Sequence, residues 1–330
     1  MSSNFQAVVV DKMGEDVSVQ VKSIDKDQLS QGDVLIKVAY SSVNFKDGMA
    51  GLPNGNIVQS YPFVPGIDLS GTVVSSKNNR FKEGDEVIAT SYEIGVSHYG
   101  GYSEYAKIPA EWIVPLPKNM TLKEAMIIGT AGFTAALSIH RLEANGLTPD
   151  QGDVLVTGST GGVGSMAVAM LAKRGYKVVA STGKEEEHDF MKKLGADSVI
   201  SRSDVYNGEL KPLQKGTWQA AVDPVGGKSL AAVLSRIKRG GAVAVSGLTG
   251  GSDIPTTVHP FILRGVSLLG VDSAYCPMPL REKIWNRLAD DLKPEGLEAL
   301  VDREVSLEDT PAAMRDILQS KIRGRVLVRV

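Results

Sequence analysis

Residues 154–164 read Val-Leu-Val-Thr-Gly-Ser-Thr-Gly-Gly-Val-Gly. A short β-branched run stops abruptly at glycines and opens into an Ala/Met/Leu-rich stretch, 165–174. Strand, tight turn and helix in that order make a phosphate cradle, because backbone N–H groups point outward at a helix N-terminus that carries partial positive charge. A second β-branched run at 177–181 completes a βαβ unit, the first of a doubly wound dinucleotide-binding fold. The turn departs from the G-x-G-x-x-G pattern: in the window 159–164 Ser159 holds the first glycine slot, and Gly158 lies one place earlier. Alone, such a turn reads equally as a tight connection between core elements; the flanking strand, helix and second strand favour the cradle.

The end of the second strand bears on the ligand. A site for NAD usually places Asp or Glu there, about 20 residues after the turn, to bind the ribose hydroxyls. This chain has Ser181-Thr182-Gly183-Lys184 instead, and Arg202 follows the expected third strand. Hydroxyls and cations suit a 2′-phosphate, which a carboxylate would repel. Glu185-Glu186-Glu187 reads either as an ordinary acidic first helical turn or as a ribose-binding acid shifted along the chain. NADP is therefore expected ahead of NAD, with NAD left open.

The elements that must position these residues fall into two groups. With 330 residues, 42% of them hydrophobic and 22% charged, the chain has the size and composition of a two-domain globular protein. Its net charge of −2 gives no general attraction to nucleic acid or anionic membrane, and no apolar run reads as a membrane span. The first ten residues lack the basic start and long apolar core of a signal peptide and read as a first strand. The single cysteine, Cys276, excludes an intrachain disulfide and suits a reducing, cytoplasmic setting. Up to about residue 120 the runs 7–10, 17–21, 34–41, 71–75, 86–89 and 101–108 read as strands. Thr121-Leu122-Lys123-Glu124 resembles a capping box that opens a helix. Strands at 154–157, 177–181, 197–200, 219–223, 241–246 and 266–271 then alternate with helices near 162–175, 185–194 and 227–238. Amphipathic helices near 280–292 and 307–320 and a last strand at 325–330 close the chain. The expectation is an α/β protein: a β-rich domain and a doubly wound parallel sheet of order 3-2-1-4-5-6.

That plan resembles the medium-chain dehydrogenase/reductases, and Gly84-Asp85-Glu86-Val87, Gly161-Gly162-Val163-Gly164 and Leu194-Gly195-Ala196-Asp197 strengthen the match. Within that superfamily the chain is most similar to the YhdH/YhfP-type quinone oxidoreductases, which include acryloyl-CoA reductases. The similarity rests on residues 41–47 (Ser-Ser-Val-Asn-Phe-Lys-Asp), 64–71 (Val-Pro-Gly-Ile-Asp-Leu-Ser-Gly), 255–264 (Pro-Thr-Thr-Val-His-Pro-Phe-Ile-Leu-Arg) and 270–273 (Gly-Val-Asp-Ser). It implies a GroES-like domain over 1–123, completed by 275–330, and a Rossmann domain over 124–274.

The same resemblance addresses metal. Zinc-dependent relatives use a cysteine in the segment matching 42–47 and a histidine in a Gly-His-Glu triplet; this chain has Asn44 and Ile67 there. One cysteine cannot form a four-cysteine zinc lobe, and His98, His140, His188 and His259 show no ligand spacing. No metal is expected. Without a Lewis acid the chemistry left open is hydride delivery to an already activated acceptor, a quinone or a C=C conjugated to a thioester.

By resemblance Phe45 lies beside the nicotinamide, with Asn44 and Lys46 near the acceptor. Thr160, Gly161, Gly162 and Val163 serve the pyrophosphate; Thr182, Gly183, Lys184 and Arg202 serve the adenosine end. Leu248, Ile262 and Ser273 line the nicotinamide side, and Arg323 approaches from the C-terminal segment. Plainer readings exist: Asn44 as a turn-closing residue, Asp68 as a buried carboxylate satisfied by backbone N–H groups, Leu248 and Ile262 as core. Tyr61 is a candidate proton donor, with bulk water the alternative. A coenzyme A thioester would need cations for its phosphates, for which Lys46, Arg264 and Arg281 are candidates. The competing functions are a quinone reductase and a nucleotide-bound protein that binds RNA or another partner; the neutral composition and lack of a basic cluster interleaved with aromatics weigh against RNA. The sixth strand, 266–271, falls at a sheet edge and is expected to pair with a second copy in a homodimer, unless 277–292 folds back over it.

Overall fold

The computed structural model describes residues 4–330. The chain opens with a long antiparallel hairpin, β1 (Asn4–Met13) and β2 (Asp16–Asp25). The strand expected in the first ten residues is therefore present from Asn4, and residues 1–3 lie outside the description. There follow β3 (Val34–Ser42), the short helix α1 (Phe45–Ala50), β4 (Asp68–Ser76), β5 (Glu86–Thr90), β6 (Tyr105–Ile108) and β7 (Ile113–Pro115). Val34, Ile36 and Val38 alternate along β3 and bury their side chains with Leu69, Val87, Ile108 and Ile113, which is the period-2 pattern of a strand covering one core. β6 starts four residues later than the run 101–108 suggests. Gly101 lies close against the β4 backbone, where a Cβ on it would stand 2.1 Å from the Asp68 carbonyl oxygen, and its N–H bonds the Gly66 carbonyl at 2.8 Å.

Helix α2 (Leu122–Ala144) is broken at Gly129, whose φ of 51° and ψ of −161° are not helical. It corrects one expectation, since by length and composition its 23 residues could cross a membrane. In the fold 78% of that apolar window is buried.

From there strands and helices alternate: β8 (Val154–Val156), α3 (Gly162–Lys173), β9 (Val178–Thr182), α4 (His188–Lys193), β10 (Ser198–Ser201), α5 (Arg202–Val205), β11 (Trp218–Asp223), α6 (Gly227–Arg236), β12 (Ile237–Val245), α7 (His259–Arg264) and β13 (Ser267–Gly270). All six strands run parallel in the order β10-β9-β8-β11-β12-β13, the 3-2-1-4-5-6 arrangement expected from the sequence. β12 begins four residues early because its register against β11 shifts between Trp218 and Ala220. β13 is an edge strand. The chain ends with α8 (Met278–Leu288), β14 (Val301–Val305), α9 (Thr310–Leu318) and β15 (Arg325–Arg329). β14 and β15 extend the first sheet, whose order is β14-β15-β3-β4-β5-β7 with β6 also paired to β3.

The chain divides into two compact units: residues up to Thr130 with Ala274–Trp285 and Leu297–Val330, and Ala131–Ser273 with Asn286–Gly296. The first boundary falls after Thr130 rather than at 123, for a physical reason. Leu122 and Ile127 accept from Ser70 Oγ (2.8 Å) and Arg325 Nε (3.0 Å), which binds this stretch into the first unit. Residues 286–296 depart from the expected 275–330 segment because Arg287 is ion-paired to Glu143 at 2.7 Å in the second unit.

Candidate active site

In the second unit the Gly-rich turn has the geometry of an anion cradle. Gly158 adopts φ 54°, and a Cβ on Gly164 would lie 2.3 Å from the Gly158 carbonyl oxygen, so helix and strand meet as closely as glycine allows. The serine in the first glycine slot ties the turn to β9, because Ser159 donates to the Ser181 carbonyl through both its N–H (3.1 Å) and its hydroxyl (3.0 Å). Gly161 caps α3 without a side-chain hydrogen bond and is exposed, leaving first-turn N–H groups to a ligand; Thr160 is buried beneath, with Gly162 and Val163 half-buried beside it.

At the end of β9, Thr182 is buried and its hydroxyl accepts from Lys184 N at 3.1 Å. The neighbouring Gly183 lets Arg202 lie across the turn, since a Cβ on it would stand 2.8 Å from Arg202 Nε. Arg202 is exposed and has no ion-pair partner among the described residues. The four residues expected at the adenosine end are thus together. On the other side of the sheet Leu248 and Ile262 are 68% and 71% exposed, which removes the reading that they are core. Ser273 accepts from the Thr134 hydroxyl at 2.7 Å.

In the first unit a closed polar cluster forms around Asn44. Asn44 is the N-cap of α1, and Asp47 three residues on completes a capping box by accepting from Asn44 N at 2.9 Å. The Asn44 amide donates to Asp68 Oδ2 at 2.8 Å and to Asp47 Oδ2 at 3.2 Å, and its oxygen accepts from Arg325 Nη1 at 3.2 Å. Asp68 also receives the Ser42 hydroxyl (2.6 Å), Thr130 N and the Thr130 hydroxyl. Arg325 Nη2 stands 3.8 Å from Asp68 and donates to Ser42 Oγ at 2.7 Å. Asp47 and Asp68 are wholly buried with Arg325 as their cation. Burial first, and then the like charge of Asp68, push the Asp47 carboxyl up to about 7. Burial lowers the Arg325 guanidinium and raises the Tyr102 phenol.

This cluster gives Asn44 a positioning geometry: every amide atom is used inside, and what it holds is the start of α1. The next two residues are presented by that helix. Phe45 is 45% exposed and Lys46 is half-buried; the Glu93 carboxyl is held low mainly by hydrogen bonds from Ser97 and Tyr275, with a smaller contribution from the Lys46 charge. Tyr61 lies in an apolar cluster with Ala50, Val58 and Phe63, and its hydroxyl donates to the Val58 carbonyl at 3.4 Å. Arg323 is half-buried in the turn before β15.

Two expected phosphate-binding cations are corrected. Arg281 is fully buried over the Tyr92 ring and donates to Thr90 and Ala274 carbonyls at 3.1 and 3.0 Å. Arg264 donates to the carbonyls of Ser235 (3.1 Å), Ile237 (2.9 Å) and Gln214. Each holds backbone carbonyls that a helix end or turn leaves open, a need invisible in residue type alone. Asp47, Ser42, Tyr102, Thr130 and Arg325 were not singled out from the sequence. Asp47 had a signal, the Asn-x-x-Asp capping spacing; Arg325, 281 residues from Asn44, had none.

Residues 30–118 match the alcohol dehydrogenase GroES-like domain family, and 162–290 match the zinc-binding dehydrogenase family. The chain is 64% identical to the putative quinone oxidoreductase YhfP of Bacillus subtilis over 330 residues, covering 100% of both chains. It is 47% identical to the acrylyl-CoA reductase AcuI of Ruegeria pomeroyi, covering 99% of each. The crystal structure of B. subtilis yhfP with NAD bound superposes with a TM-score of 0.98 over the full length of both chains. The chain belongs to the YhfP/YhdH-type quinone oxidoreductase and acrylyl-CoA reductase branch of the medium-chain dehydrogenase/reductases. In that branch the Salmonella enterica yhdH oxidoreductase, crystallised with NADP, has 43% identity and a TM-score of 0.96, covering 98% of this chain and 99% of its own.

The zinc named in one of the matched families does not fit the residues present. Ile67 offers no donor atom, and the Asn44 amide is fully engaged by Asp47, Asp68 and Arg325. Both carboxylates already accept several hydrogen bonds, and Cys276 is the chain's one thiol. Among the described residues no three His, Cys, Asp or Glu side chains are grouped to hold a metal ion.

Proposed function

We propose that this protein is a zinc-independent, NADPH-dependent reductase of an activated C=C bond, with short enoyl-CoA thioesters such as acryloyl-CoA as substrates. The observation that carries the reading is the replacement of a metal site by a closed Asn44–Asp47–Asp68–Arg325 network, in a chain 47% identical to an acrylyl-CoA reductase. A network with no Lewis acid leaves alkoxide chemistry unsupported, whereas a conjugated thioester needs only a hydride and a proton.

NADPH, when bound, supplies the hydride. The cradle 160–163 holds its pyrophosphate, Thr182, Gly183, Lys184 and Arg202 its 2′-phosphate and adenosine, and Leu248, Ile262 and Ser273 its nicotinamide side, with Arg323 an additional contact. Phe45 flanks the nicotinamide. Hydride delivery to the β-carbon of the enoyl group would build negative charge on the thioester oxygen, and Lys46, carried on α1, is the residue we assign to stabilise it. The α-carbon takes its proton from water; the Tyr61 hydroxyl is already directed at Val58, so its role as donor would require that bond to break. Asn44 positions α1. The unit built on β1–β7 handles the acceptor, and the doubly wound unit the cofactor. A cytoplasmic homodimer with no nucleic-acid or membrane partner completes the proposal, and NAD remains a usable cofactor.

A quinone reductase is the second reading, favoured by 64% identity to the putative quinone oxidoreductase YhfP. Turnover of acryloyl-CoA, crotonyl-CoA and a small quinone, each with NADPH and with NADH, separates the two. The first reading expects the highest kcat/KM for acryloyl-CoA with NADPH; turnover confined to the quinone contradicts it.

A further inference from the structure

The carboxyl ends of β8, β11 and β12 are joined by one buried residue, through its side chain and its carbonyl. Asp223, the last residue of β11, has no exposed surface and no ion-pair partner among the described residues. Its Oδ1 accepts from Gly226 N (2.6 Å) and Val225 N (3.1 Å), and its Oδ2 from the Thr157 hydroxyl at the end of β8 (2.8 Å). Its carbonyl accepts from Ser246 N at 3.0 Å. The turn it closes carries two left-handed glycines, Gly226 (φ 74°) and Gly227 (φ 62°), and both are backed by the loop 246–251. A Cβ on Gly226 would stand 2.8 Å from the Gly247 carbonyl oxygen, and one on Gly227 would stand 2.3 Å from that of Gly250. Gly250 N in turn donates to the Val225 carbonyl at 2.7 Å. The turn at Gly158 completes the body, since a Cβ there would lie 3.1 Å from Val225 Cγ2.

At the head of the 246–251 loop is a group with an unmet need. Ser246 Oγ is covered and has no hydrogen-bond partner, although the residue as a whole is partly exposed. A covered hydroxyl without a partner is unfavourable, and such groups call for a ligand or water to supply one. Ser246 as a whole keeps part of its surface open, where a ligand can reach it. Strand order reverses between β8 and β11, where a dinucleotide crosses this kind of sheet. Thr182 and Arg202 lie at the ends of β9 and β10, on one side of that reversal, and Ser246 follows β12 on the other.

We propose that Ser246 is a cofactor-binding residue whose hydroxyl engages the nicotinamide half of NADPH, and that Asp223 is the positioning residue that presents it. The inference rests on the cofactor reading above. It is tested by titrating the full-length protein with NADPH and with 2′,5′-ADP, which carries only the adenosine end, and by measuring Tm without ligand. Ser246→Ala is expected to weaken NADPH about fivefold, the worth of one hydrogen bond, while 2′,5′-ADP binding and the unliganded Tm do not fall. Asp223→Ala is expected to weaken NADPH more than about tenfold with 2′,5′-ADP little changed. Asp223→Asn rescues most of that loss, because its Oδ1 still accepts from Gly226 and Val225 and its amide can donate to Thr157. Equal NADPH affinity in wild type and Ser246→Ala overturns the proposal alone, as does an equal loss of both ligands in the two Asp223 variants. A wild-type protein that binds neither ligand overturns the cofactor reading and the proposal together.

Discussion

Gly129 stands where any side chain would enter the buried polar cluster. A Cβ there would lie 2.6 Å from Asp68 Oδ2, 2.7 Å from Arg325 Nη2 and 2.8 Å from Ser42 Oγ, and its φ of 51° already disfavours an L-residue. Gly129→Ala is expected to destabilise the fold by about 2–4 kcal/mol in urea unfolding, combining backbone strain with overpacking. Asp47 gives the cluster a pH signature. Its folded pKa of about 7 lies above the ordinary unfolded value, so the native state holds the proton more tightly. The resulting stability is fully present below the unfolded pKa and is lost as pH rises through the folded one. The stability of wild type relative to Asp47→Asn should therefore fall from about pH 4 to pH 7 and level off above about pH 8; a flat difference would show that Asp47 titrates normally. At this scale the sequence was legible where contacts are local, as in the turn at 158–164. It was silent on Arg325 and Thr130, whose partners are brought by strands far apart in the chain.

Short elements carry the site, and buried cations hold them. Arg281, on α8, ties the end of β5 to Ala274 by donating to Thr90 and Ala274 carbonyls while covering Tyr92. Arg281→Met should cost about 2–4 kcal/mol of stability, because buried acceptors lose their donor. It should leave KM for acryloyl-CoA within about twofold, the scatter expected when no direct contact is lost. A KM rise of tenfold or more in a folded variant would return Arg281 to the phosphate-binding role read from its charge. The order of the parallel sheet was legible because helix and strand periods alternate cleanly from residue 154 on. β7 and β14 were not: one has three residues, and the other has a half-buried pattern without alternation. The break of α2 at Gly129 was equally hidden, since a glycine in a helical run gives no sign of the cluster it faces.

For the whole molecule the open question of assembly sits at β13. It is an edge strand of the parallel sheet, and its Leu268 and Leu269 are only half-buried within the chain. Pairing with the same strand of a second copy would satisfy the free edge and cover both leucines. Sedimentation at micromolar protein is expected to give twice the chain mass, and Leu268→Lys to shift the species toward monomer; a wild-type monomer would contradict the assembly. The central claim, hydride delivery to an enoyl thioester without a metal, has a direct test. Acryloyl-CoA turned over with NADPH deuterated at the transferring C4 position, in ordinary water, should yield propionyl-CoA with one deuterium on its β-carbon by mass spectrometry. Unlabelled or absent propionyl-CoA, from enzyme that still oxidises NADPH with a quinone, would contradict it.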